Sequence, residues 1–114
     1  MSVLGDYVYG VGFIDSVEAE DISVGEKLRV KICGGWPSPA WEFDHEEVEV
    51  KEDRIMVRVI GRLKPEFIAL TVIEPFEHVV EVENLREGVY TVEVVGRGEN
   101  STVRVSVHPA KQVQ

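Results

Sequence analysis

Hydrophobic and polar residues alternate with a period of two along most of this chain, and Gly, Pro, Asn or Asp interrupts the alternation at intervals. Leu28, Val30 and Ile32 interleave with Lys27, Arg29 and Lys31. Successive side chains of an extended backbone point to opposite faces, so this segment predicts a half-buried strand with cations on its wet face. The same pattern recurs four times. Ile55, Val57 and Val59 alternate with Arg54, Met56 and Arg58; Val80 and Val82 with Glu81 and Glu83; Tyr90, Val92 and Val94 with Thr91 and Glu93; and Val103, Val105 and Val107 with Thr102, Arg104 and Ser106.

Other segments modify the pattern. Trp41, Phe43 and His45 alternate with Glu42 and Asp44, and then Val48 and Val50 with Glu47, Glu49 and Lys51. The inward parity therefore moves from odd to even across His45–Glu47, which predicts a β-bulge or a strand break. Phe67 to Ile73 is apolar on both parities apart from Thr71, the pattern of a central strand covered on both sides, and Pro75 closes it. Tyr7 to Ala19 also reads as strand, with Gly10 and Gly12 as bulges or points of close approach. Gly96 to Asn100 supplies residues that tolerate positive φ, as a hairpin turn requires.

No segment carries a trustworthy helical period, no linker divides the chain, and no repeat of 20 to 50 residues is visible. The expectation is an all-β protein, an antiparallel sandwich of about seven to eight strands. It forms one domain over residues 1–108, with a loose tail over 109–114.

Composition agrees with strands: 22 Val and 7 Ile stand against 4 Ala. The 44% of apolar residues exceeds what a disordered acidic tail carries, and 114 residues suffice for one core. The formal charge of −9 repels polyanions, which argues against nucleic acid and anionic membrane surfaces as partners. Charges are segregated, with Lys27, Arg29 and Lys31 on one strand, Arg54, Arg58 and Arg62 on another, and glutamates on others. Cross-strand ion pairs follow from that segregation. Sixteen Glu with only two each of Asn, Gln and Met is a hyperthermophile-like bias.

Cys33 is the only cysteine, so no intramolecular disulfide can form, and a reducing compartment is the simpler inference. The amino terminus has neither a basic region nor an apolar run of signal-peptide length, and no apolar stretch is long enough to span a membrane. The expected location is cytoplasmic, or extracellular if the amino terminus has been trimmed.

Leu85, Gly88 and Tyr90 form a segment that resembles the tyrosine corner of immunoglobulin-like and fibronectin type III-like sandwiches. There a tyrosine hydroxyl bonds back to the backbone a few residues upstream. The motif implies a fold and no activity. Val92 stands where antibody-type domains carry their second cysteine. A narrower resemblance runs from Gly34–Phe43 through Pro75–Glu77 to Leu85–Tyr90, and is similar to a group of small bacterial secreted or lipoprotein-type domains of unknown function. Their cysteine positions match Ala40 and Ala69. The resemblance implies that two small apolar residues replace a disulfide here, on neighbouring strands with Cβ atoms about 3.5–6 Å apart.

The most unusual segment is Gly34 to Trp41, with two tryptophans and two prolines. Trp36, Pro37, Pro39 and Trp41, joined by Phe76 and His78, are the candidate binding residues. Such a loop is suited to stacking on sugar rings or clamping an extended peptide. The competing expectation makes Trp41, in alternation with Phe43, a core residue and leaves Trp36 open. His45, His78 and His108 lack the recurring spacings of metal ligands, so no metal and no cofactor is expected. Neither Gly-x-Ser-x-Gly nor a histidine beside Cys33 is present in the sequence, and no enzyme is expected. The functional expectation is a non-enzymatic binding or interaction module. Its partner is a protein, peptide or carbohydrate, and the chain is a monomer or weak homodimer. The alternative is an inhibitor or accessory domain that inserts loops into an enzyme cleft, as chagasin-like sandwiches do, although their Asn-Pro-Thr-type loops are missing here.

Overall fold

Each alternating segment leaves an apolar face and an unsatisfied row of N–H and C=O groups. Edge-to-edge pairing satisfies the second, and face-to-face stacking buries the first. A computed structural model describes residues 8–64 and 72–110. Within them lie nine strands: β1 (Val8–Val11), β2 (Phe13–Ala19), β3 (Ile22–Ser23), β4 (Leu28–Trp36), β5 (Trp41–Lys51), β6 (Arg54–Leu63), β7 (Glu74–Val82), β8 (Gly88–Val94) and β9 (Ser101–His108).

The strands form a three-stranded sheet, ordered β2-β4-β7, and a six-stranded sheet, ordered β1-β6-β8-β9-β3 with β5 on the other edge of β6. β8 and β1 share one edge of β6, β8 along Arg54–Val57 and β1 along Ile60–Leu63. Two pairings are parallel, β6 with β8 and β3 with β9, which corrects the purely antiparallel expectation. β7, which lies between β6 and β8 in sequence, belongs to the opposite sheet. Two reversals of direction bring the chain back parallel to where it left.

The core is the inward parity of the alternating segments. Leu28, Val30, Ile32, Ile55, Val57, Val80, Val92 and Val94 are wholly buried, with Val59, Val105 and Val107 almost so. The outward parity carries the anticipated ion pairs between β4 and β7, Arg29 with Glu81 at 3.9 Å and Lys31 with Glu77 at 3.6 Å, continued just beyond the strand ends by Lys27 with Glu83 at 3.3 Å. The parity change in β5 is absorbed by a register shift between Phe43 and His45, ahead of the expected His45–Glu47, so that Glu46 rather than His45 takes the inward parity. Gly12 falls where the chain leaves one sheet for the other, and a Cβ there would lie 2.6 Å from the Gly35 carbonyl oxygen. The β8–β9 turn is closed by the Gly96 amide, which donates to Asn100 Oδ1 at 3.2 Å.

The tyrosine hydroxyl bonds as its motif predicts. Tyr90 Oη donates to the Arg86 carbonyl at 3.0 Å and accepts from the Arg86 amide at 3.1 Å. Ala69 and most of the segment Phe67–Ile73 lie outside the described residues. Val72 and Ile73 are described, stand outside any strand and are 53% and 51% exposed, so a covered central strand does not extend to them.

Candidate functional site

Five aromatic or imidazole rings gather where β4, β5 and β7 come together. β4 runs on through Gly34, Gly35 and Trp36, paired with Phe76, Pro75 and Glu74 of β7, so the connection to β5 is only Pro37–Ala40. This corrects the open-loop reading of Trp36, which is 4% exposed and belongs to the core. The reason lies on the facing sheet. Gly10 of β1 and Gly61 of β6 are register partners, and the absence of two side chains leaves a slot over them. A Cβ on Gly61 would stand 2.6 Å from Trp36 Cζ3, and one on Gly10 would stand 3.4 Å from Trp41 Cη2. The two indoles fill this slot.

Trp41, expected in the core, is the half-buried member of the pair. Its ring stacks on Trp36 with centroids 6.2 Å apart and planes 9° apart, and Trp36 stacks in turn on Phe76 at 4.6 Å. The Arg97 guanidinium lies 5.4 Å from the Trp41 ring centroid, a cation–π contact that caps the stack. The Arg97 amide also donates to the Gly12 carbonyl at 2.8 Å, fastening the β8–β9 turn beside the crossover between sheets. Pro37 and Pro39 are half-buried and Ala40 is buried, so they stiffen and cover this end of the sandwich.

His78 sits at the inward parity of β7, directly opposite Ile32 of β4. Its ring stacks on Phe43 of β5 at 4.6 Å, and its Nε2–H donates to Glu46 Oε1 at 2.6 Å. Phe43 is 47% exposed, Val48 38% and Val50 45%, although they lie opposite the inner-face residues Gly61, Val57 and Ile55. A three-stranded sheet cannot cover the full width of a six-stranded one, and the part of β5 beyond its contacts with Trp36 and His78 is left exposed. Parity alone placed Phe43 inside. The parity break expected across His45–Glu47 was the available sign that it stands at a rim. Arg97, within the turn, carried no such sign.

The polar groups of the rim are held by one another. His45 Nδ1 bonds Asp44 Oδ2 at 2.6 Å, and its Nε2 bonds Glu47 Oε2 at 3.2 Å. These two carboxylates, Asp44 first, push the imidazole pKa above its ordinary value. Arg62 on β6 donates to Glu42 and holds its carboxyl below the usual carboxylate range. No three His, Cys, Asp or Glu side chains converge as metal ligands among the described residues. Cys33 Sγ faces Glu77 Oε1 at 3.8 Å rather than a histidine. No helix among the described residues is long and apolar enough to cross a membrane.

Two sheets stacked on one valine-rich core, with a stiffened turn at one end and an uncovered rim along β5, define a β-sandwich domain. The chain belongs to the ORF11 beta-sandwich domain family, whose model matches residues 30–107. That stretch opens in β4 and closes in β9, so it includes the aromatic stack and the rim but not β1 to β3. No curated protein and no solved structure matches the chain.

Proposed function

We propose that this domain is a non-enzymatic interaction module of immunoglobulin-like kind that holds a protein or peptide partner along its β5 rim. The observation that carries the reading is the stripe of Phe43, Val48 and Val50, each more than one-third exposed on one strand whose outer edge has no neighbour among the described residues. Exposed apolar side chains scattered singly are ordinary, whereas Val48 and Val50 adjoin on one face beside an open strand edge, with Phe43 further along that face beyond Glu46, and such a grouping marks a contact surface. The non-enzymatic part is supported by the histidines, since each faces carboxylates rather than a nucleophile. The immunoglobulin-like part is supported by the Tyr90 corner and by an amino-terminal segment that changes sheets at Gly12. Loop insertion into a cleft draws no support from Pro37–Ala40, whose residues are all buried or half-buried.

The test is a comparison of partners captured by cross-linking in lysate of the source organism. A rim variant carrying Phe43→Ser, Val48→Lys and Val50→Lys is set against Val89→Ser, which alters an exposed residue of β8. Both variants are expected to keep the wild-type circular dichroism spectrum, and only the rim variant to lose its captured proteins. Recovery of the same proteins in the same yield by both would overturn the reading.

A further inference from the structure

We propose that the outer edge of β5 takes an extended segment of a partner protein as an added strand, and that this segment alternates basic with apolar residues. The proposal rests on the rim reading above and supplies the chemistry of its partner. β5 forms a ladder with β6 alone among the described residues. Every second residue along its 11-residue length therefore directs its N–H and C=O away from the sheet.

The side chains of β5 dictate what can lie alongside. On its inner face Val48 and Val50 stand exposed opposite Val57 and Ile55, and on its outer face Glu47 and Glu49 stand opposite Arg58 and Met56. The strand as a whole carries five carboxylates, Glu42, Asp44, Glu46, Glu47 and Glu49, against the single Lys51. An added strand sets its side chains about 4.5–5.5 Å from those of its neighbour on the same face. Apolar residues on one parity would then cover Val48 and Val50, and cations on the other would stand beside Glu47 and Glu49.

The fold already contains this arrangement once. β4 alternates Leu28, Val30 and Ile32 with cations, and it lies against the glutamates of β7 through the Lys27–Glu83, Arg29–Glu81 and Lys31–Glu77 pairs. β5 presents the acidic half of such a pair at an open edge. A second copy of this chain does not fit there, because two β5 edges would set five carboxylates against five, and like charges across a strand pair repel.

Three synthetic decapeptides titrated into the isotopically labelled full chain, and followed by amide chemical shifts, test the proposal. One alternates Lys and Val, the second alternates Glu and Val, and the third is the Lys-Val peptide with every second backbone nitrogen methylated. The Lys-Val peptide is expected to bind about tenfold or more tightly than the Glu-Val peptide and to weaken with salt. Its shifts should concentrate on β5 and its binding should slow β5 amide exchange, while methylation costs about tenfold or more through lost ladder bonds. The surface pair Glu47→Lys with Glu49→Lys should invert the charge preference. Equal binding of the methylated peptide, shifts away from β5, no charge preference, or self-association of the chain through β5 would each overturn strand addition. If the peptides fail while the rim variant still loses its captured partners, strand addition is wrong and the rim reading stands. If capture is unaffected as well, both fall.

Discussion

His78 of β7 and Glu46 of β5 meet across the two sheets, Nε2 to Oε1 at 2.6 Å, at the end of the rim where Phe43 lies over the imidazole. The side chains of this pair are 22% and 37% exposed, so water screens it and its contribution to stability is small. A double-mutant cycle with His78→Ala and Glu46→Ala is expected to give a coupling of about 0.5–1 kcal/mol in urea unfolding, decreasing at high salt. A coupling indistinguishable from zero at low salt would mean that the two sheets are spaced by packing alone.

Tyr90→Phe should be costly for the loss of one oxygen. The change deprives both the amide and the carbonyl of Arg86 of their partner in a part-buried turn. A loss of about 1–3 kcal/mol in unfolding free energy is expected, with an unchanged denaturant slope. If Tyr90→Phe unfolds at the wild-type midpoint, water replaces the hydroxyl and the corner is dispensable.

Gly61→Ala probes the slot that admits Trp36. The new Cβ would stand 2.6 and 2.7 Å from two atoms of the indole's outer ring, with backbone behind it. Overpacking of this kind costs about 1–3 kcal/mol. In a Trp36→Phe background the obstructing atoms are gone, so the same Gly61→Ala change should cost measurably less. Equal costs in both backgrounds would show that the indole is free to move aside.

His45 provides the pH dependence. Its pKa is raised by Asp44 and then by Glu47, so the folded state holds the proton more tightly than the unfolded chain. The resulting stabilisation is complete below the ordinary histidine pKa of about 6.5 and is lost as pH rises through the raised value. Proton NMR titration of the imidazole should give a midpoint above the ordinary value in the wild type. The midpoint should move back down in Asp44→Asn, and a midpoint that ignores this substitution would remove the carboxylate as its cause.

Much of this protein was legible in its strand parities. The alternation of Leu28, Val30 and Ile32, of Ile55, Val57 and Val59, and of the valines in β8 and β9 named the core residue by residue, because the side-chain period of a strand is a local property of the backbone. The turn at Gly96–Asn100, the presence of a bulge in β5 and the bonding of Tyr90 were local as well, although the bulge sits ahead of the expected His45–Glu47. Three results were not. Trp36, which the sequence left open, took the buried place and Trp41, expected in the core, stayed half-buried, because the space for an indole was made by Gly10 and Gly61 on strands distant in sequence. β6 and β8 run parallel because β7 crosses to the other sheet between them. Phe43, Val48 and Val50 have the parity of core residues and remain exposed. Parity says which side of its own sheet a residue faces, but whether that side is covered depends on the width of the opposing sheet, and only the packing of three strands against six decided that.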